Sequence, residues 1–147
     1  MSIFSMLEIS GSAMAAQRQR AEVVAANMAN ADTTRSSDGG PYRRKEVVFA
    51  STGNSPFRLL LAGIKRLAGH AEVAVRVSRI VNDPAPPVMR YEPGHPDADK
   101  NGYVAYPNIN PIAEMVDLMG AVRSYQLNAS AVSAAKQMIQ GSMDILK

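Results

Sequence analysis

The sequence predicts an α+β fold: long N- and C-terminal helices forming an antiparallel coiled coil, with a small β-rich insert between them. Three observations carry this reading. Near the C-terminus an apolar stripe, Met115, Leu118, Val122, Tyr125, Ala129, Val132, Lys136, Ile139, Met143 and Leu146, steps by three and four throughout. Near the N-terminus Ile3, Leu7, Ser10, Met14, Gln17, Ala21, Val24 and Met28 step the same way. Between them, short alternating runs are separated by Gly- and Pro-rich turns. A seven-residue repeat held this long marks helices that pack along their length. Two such helices at the chain ends point to an assembly protein and divide the chain into 1–31, 32–109 and 110–147.

The first helix is expected to begin near Ser2 or Ser5, where Ser5 and Glu8 fit a capping box, and to run to about Ala29. Asn30 suits a left-handed terminator. Residues 31–42 read as turns, with Asp38-Gly39 as the sharpest signal. Residues 43–50, containing Val47, Val48 and Phe49, read as a strand. Residues 57–67 fit either a short amphipathic helix or a strand. Residues 72–81 alternate, with Val73, Val75 and Val77 against Ala74, Arg76 and Ser78, and form the clearest strand. Short extended pieces follow at 88–91 and 103–106, separated by a loop holding Pro93, Gly94, Pro96 and Gly102. Asn110-Pro111 opens the second helix as N-cap and first helical residue, and Glu114 and Asp117 favour its dipole. This helix is expected to reach about Leu146, a rod of roughly 54 Å. Gly120 and Gly141 within it fit either close backbone approach or simple tolerance.

Composition narrows the function classes. The 147 residues suffice for one domain with a core. Aromatics are only 5%, Trp is absent and there are 9 Met, so small and flexible side chains dominate the apolar set. The net charge of +3 is concentrated in residues 58–79, where Arg58, Lys65, Arg66, Arg76 and Arg79 oppose only Glu72. No nucleic-acid motif accompanies these charges, so they read as a solvated surface. Cys is absent, excluding disulfides and thiolate metal sites. The first cation is Arg18, so the chain is expected to lack the charged n-region of a cleaved secretory signal. No apolar run reaches the ~18 residues of a membrane span.

Chemical motifs are sparse. Asp97-Ala98-Asp99-Lys100-Asn101-Gly102 matches the first half of a calcium loop, but position twelve is Asn108 rather than Glu. A turn held by short oxygen side chains explains it better. His70 and His95 are too few for a His-rich metal site. No nucleophile elbow or phosphate loop is present. The run Arg43-Arg44-Lys45 suits the charged edge of a strand. The competing reading is a soluble metal-binding or enzymatic α+β domain using the 92–101 loop.

The residues also carry a resemblance. Ala25-Ala26-Asn27-Met28-Ala29-Asn30-Ala31 resembles the asparagine-containing motif of bacterial flagellar axial proteins. Pro41-Tyr42-Arg43-Arg44-Lys45-Glu46-Val47-Val48-Phe49 is similar to a segment of the basal-body rod members. So are Tyr91-Glu92-Pro93-Gly94-His95-Pro96-Asp97-Ala98-Asp99, Gly102-Tyr103-Val104, Pro107-Asn108-Ile109-Asn110 and Glu114-Met115-Val116-Asp117. Ala121, Arg123-Ser124-Tyr125-Gln126 and Asn128 extend the match, which covers about residues 1–50 and 73–147.

The resemblance implies a structural subunit of the proximal rod, with no catalytic residue, cofactor or metal. Its implied partners are other copies of itself, other flagellar rod proteins and the flagellar type III export apparatus, through which it passes without a cleaved signal to the periplasmic rod. Nucleic acid is not an expected partner. The stripes then place the assembly interface on Leu7, Met14, Val24, Asn27, Met28 and Asn30 of the first helix. On the second they place it on Met115, Leu118, Val122, Tyr125, Asn128, Val132, Ile139, Met143 and Leu146. Asn27, Asn30 and Asn128 either fix register across helices or, for the first two, end a helix.

Overall fold

The computed structural model describes residues 3–37, 39–52 and 74–145. The expected element at 57–67, the cations Arg58, Lys65 and Arg66, His70 and Leu146 lie outside the described residues. The element order is α1 (Ile3–Ala29), β1 (Lys45–Ser51), β2 (Val75–Asn82), β3 (Val88–Tyr91), β4 (Tyr103–Tyr106) and α2 (Pro111–Ile145). This is the α+β arrangement of two terminal helices around a small antiparallel β insert.

The chain is already helical at Ile3, so Ser5 stands inside the first turn of α1 rather than at its cap. At the other end Asn30 is not left-handed: no described non-glycine residue has a positive φ. Asn30 ends the helix with its side chain instead. Its Nδ2 donates to the Ala26 carbonyl at 2.8 Å, and its Oδ1 accepts from the Thr33 hydroxyl at 3.2 Å. The Ala26 carbonyl also accepts from the Asn30 N–H at 3.1 Å, so the side chain adds a second bond to the last turn and ties it to the turn that follows. The predicted turn follows, with Gly39 and Gly40 at φ near +80°, a region that costs glycine little.

β1 and β2 form an antiparallel ribbon that lies along α1. Its two ends are tied down. At one end the Lys45 backbone bonds Asn27; at the other the Val75 N–H donates to Ser12 Oγ at 3.2 Å. The lengths agree, because Ser12 to Asn27 spans ~22 Å of helix and β1 rises ~20 Å. Val47 and Phe49 line one cleft with Val23 and Val24 of α1, which gives the ribbon an apolar inner face. The register shifts between Val48 and Phe49: Val48 opposes Arg79, and Phe49 opposes Val77. Ser78 is therefore the extra residue of a β-bulge.

β3 and β4 form a separate two-stranded hairpin. Val104 and Tyr106 face inward and are buried, while Met89, Tyr91 and Tyr103 face out. Gly102 has φ +81°, and a Cβ there would lie 2.9 Å from the Tyr91 ring. Glycine is required by both conformation and space.

Asn110 caps α2 as expected, its Oδ1 accepting from the N–H groups of Ile112 (3.0 Å) and Ala113 (3.4 Å). The helices pack together and run antiparallel: Asn27 meets Glu114, and Arg20 meets Asp117. The contact face of α2 differs from the expected stripe. Glu114, Ala121 and Ala135 are buried and Asn128 is half-buried, a strict seven-residue line. Leu118, Val132 and Ile139 flank it half-buried, whereas Met115, Val122, Lys136 and Met143 are exposed. Half of the stripe is thus displaced by one residue, a rotation of ~100°. Ala121 and Ala135, both 0% exposed, let the two helices approach closely along this line, while Glu114 is accommodated at its end by its polar partners. Gly120 and Gly141 are exposed and have no atom within 4 Å of a built Cβ, so neither marks close approach within the chain.

Candidate functional site

Two features stand out: a buried polar junction where α1, β1 and α2 meet, and a broad apolar face on α2. The junction is centred on Asn27, which is 0% exposed. Its Nδ2 donates to the Lys45 carbonyl at 2.9 Å and to Glu114 Oε2 at 3.0 Å. Its Oδ1 accepts from the Lys45 N–H at 2.9 Å and from the Tyr42 hydroxyl at 3.1 Å. All four bonds an amide side chain can make are filled. This one residue joins α1 to the start of β1 and to the first turns of α2.

Glu114 is 1% exposed, and burying its charge would be costly without partners. Arg44 supplies the counter-charge, with Nε donating to Glu114 Oε1 at 2.6 Å. Arg44 also pairs with Glu46 and lies 3.9 Å from Asp83 and 3.7 Å from Asp117. Burial opposes the Arg44 charge, but the Glu114 and Glu46 carboxylates outweigh it and raise the guanidinium pKa. Burial, and then the negative charge of Glu114, push the Tyr42 hydroxyl above its usual value. Tyr42 therefore stays protonated and remains a donor. Arg20 adds a partly exposed bridge to Asp117 at 3.1 Å.

The sequence pointed only partly to this junction. Asn27 was expected either to cross between helices or to end one, and it crosses. Asn30 and Asn128 do not cross: each donates to a carbonyl of its own helix, Ala26 and Ser124 respectively. Arg44 was read as part of a charged strand edge, yet it precedes β1 and is the junction's cation. Glu114 was read as a dipole partner of α2. Sequence supplies no local signal for the Arg44–Glu114 pair, because the two residues are 70 positions apart.

Of the other predicted interface residues, Val24 is buried and Leu7, Met14 and Met28 are half-buried on α1. On α2, Met115, Val122, Tyr125 and Met143 face solvent, joined by Ile112, Val116, Met119, Leu127 and Met138. A helix apolar on more than one side is normally covered on more than one side.

The 92–102 loop holds no comparable chemistry. Asp97 Oδ2 accepts from the Thr34 hydroxyl at 2.8 Å and its Oδ1 lies 3.6 Å from Arg35. Asp99 Oδ1 accepts from the N–H groups of Asn101 (2.8 Å) and Tyr103 (2.9 Å), and Glu92 Oε2 accepts from the Tyr106 hydroxyl at 2.9 Å. The carboxylates close the turn and tie it to the segment after α1, as the turn reading expects. Among the described residues, no helix is long and apolar enough to cross a membrane.

A helix pair that holds its own contact with alanines, locks it with a buried polar junction and leaves its large apolar residues outside is a protein built for assembly. The comparisons identify which kind. Residues 7–35 match the family described as flagella basal body rod protein, and residues 100–145 match the flagellar basal body rod FlgEFG protein C-terminal family. These are the two helices with the hairpin end that leads into α2. Among curated relatives, flagellar basal-body rod protein FlgC of Bacillus subtilis is 42% identical over the whole of both chains. FlgC of Borreliella burgdorferi is 37% identical over all of this chain and 99% of the relative. FlgC of Salmonella typhimurium is 40% identical over 95% of this chain and 94% of the relative. The chain belongs to the FlgC family of flagellar basal-body rod proteins. It is a structural protein of the flagellar basal body and not an enzyme, and the metal-binding or enzymatic reading finds no support.

Proposed function

We propose that this chain is a subunit of the proximal rod, the axle that passes torque from motor to hook. It assembles helically through its two terminal helices with other copies of itself and with other rod proteins. One observation carries the reading: α2 turns Ala121 and Ala135 inward and leaves Met115, Met119, Val122 and Met143 outside. Covering side chains of this size contributes about 1.5–3 kcal/mol each, so a neighbour's helix is the natural cover. A head-to-tail contact that does not close on itself then extends as a helical filament. The coiled-coil geometry expected of the stripes belongs to this assembled state, in which the outer residues meet other subunits. Family membership supports passage through the flagellar type III export apparatus without a cleaved leader, and a position in the periplasmic part of the basal body.

The test is Val122→Asp. Val122 is exposed, so the variant folds, is secreted at wild-type level and fails to enter rods. Normal rods containing Val122→Asp overturn the proposed seam.

A further inference from the structure

The β-bulge at Ser78 has a consequence on the outer side of the ribbon. In an unbroken strand, residues three apart face opposite sides. Arg76 and Arg79 instead oppose Ala50 and Val48, which are two apart on β1 and share a face. The bulge therefore brings both arginines to the side away from α1, about 7 Å apart along the strand. Both are exposed, and no ion pair among the described residues includes either one. Arg18, Arg20, Arg35 and Arg44 have carboxylate partners; Arg43, Arg90 and Arg123 are exposed without one among the described residues, but only Arg76 and Arg79 stand as a pair on one strand face. Two guanidinium forks on one rigid face, spaced to reach a common group, suit a carboxylate.

The same chain carries a matching charge. Most described carboxylates are engaged; Glu8, Asp32 and Asp144 take part in no ion pair or side-chain hydrogen bond among the described residues. Asp32 stands in the turn after α1 and Asp144 in the last turn of α2. Glu8 alone is exposed within the body of a helix, which holds it at a fixed position. We propose that the Arg76–Arg79 pair binds Glu8 on α1 of a second copy, a lateral contact distinct from the apolar helix seam. This rests on the rod-subunit reading above.

Because the chain has no Cys, an engineered pair reports without background. Arg79→Cys and Glu8→Cys are introduced together, rods are isolated, and a short bis-maleimide linker is added. An Arg–Glu ion pair holds the two Cα atoms further apart than the ~7 Å a direct disulfide tolerates, so the linker supplies the remaining span. The expected result is an intermolecular cross-link at least tenfold above the control pair Arg79→Cys with Asp32→Cys. Rods that contain the doubly substituted chain but link no more than the control overturn the inference and leave the rod reading intact; isolated rods that lack the wild-type chain overturn the rod reading itself. A charge swap tests the same contact without cysteines. Arg76→Glu with Arg79→Glu melts like wild type as a monomer but enters rods at least tenfold less, and adding Glu8→Arg restores entry. Undiminished entry, or failure of Glu8→Arg to restore it, overturns the contact.

Discussion

Asn27 and Lys45 exchange two hydrogen bonds: the Asn27 side chain donates to the Lys45 carbonyl and accepts from the Lys45 N–H, each at 2.9 Å. The amide thus treats the first residue of β1 as a neighbouring strand would. It starts the ribbon at a fixed point on α1, while its remaining bonds reach Tyr42 and Glu114. Three separated parts of the chain are set by one side chain.

Asn27→Ala leaves the Lys45 backbone groups, Glu114 and Tyr42 each short of a partner. Buried polar groups left open cost about 1–3 kcal/mol apiece, so urea denaturation should show a loss of about 3 kcal/mol or more. Asn27→Asp is isosteric but places a second carboxylate beside Glu114. It should be less stable than Asn27→Ala at pH 7, measured by the same urea denaturation.

Tyr42 predicts an alkaline limb. Its pKa is raised in the fold from 10.0, so above pH 10 the folded state binds more proton than the unfolded state. The contribution is complete below pH 10 and is lost as pH rises through the raised folded value. Tyr42→Phe should cost about 1 kcal/mol at neutral pH. It should also flatten the fall in stability above pH 10, measured by denaturant midpoints across the alkaline range. Tyr106, also raised, by its bond to Glu92, adds to the limb and keeps part of it in the variant.

Ala121→Leu separates the two faces of α2. Ala121 is 0% exposed, so three added carbons must push the helices apart. Overpacking costs about 1–3 kcal/mol, and the isolated protein should melt earlier. Val122→Leu, one residue away on the exposed side, should leave the monomer's melting unchanged. Equal effects at both positions would place the helix contact elsewhere.

Hydrogen exchange should show where the fold waits for neighbours. Residues 140–144 at the end of α2 are all exposed, so burial within one copy does little to hold this turn in helix. Its amides should exchange quickly in monomer and slowly in assembled rods, while those near Asn27 and Glu114 stay protected in both. Strong protection of the last turn in monomer would contradict this.

How much of this was legible in sequence depended on range. Both helices, Asn110 as cap and the extended pieces of the insert followed from local periodicity and turn chemistry. The inner line of α2 did not, because periodicity weighs large apolar residues, whereas the contact within one copy selects alanine. Glu114, Ala121, Asn128 and Ala135 repeat every seven residues but look unremarkable on a hydrophobic scale. The Arg44–Glu114 pair was hidden because it links residues 70 apart. The bulge at Ser78 was half visible: alternation through Val75 and Val77 breaks at Arg79, and one inserted residue keeps that cation on the outer side.

The central claim is that α2 has an inner face for its own copy and an outer face for its neighbours. An electron-microscopy map of the assembled rod tests it most directly. The account predicts Ala121 and Ala135 against α1 of the same copy, with Met115, Val122, Tyr125 and Met143 covered by other subunits. A map in which those four residues face water, or in which Ala121 and Ala135 meet a neighbouring subunit instead, would contradict it.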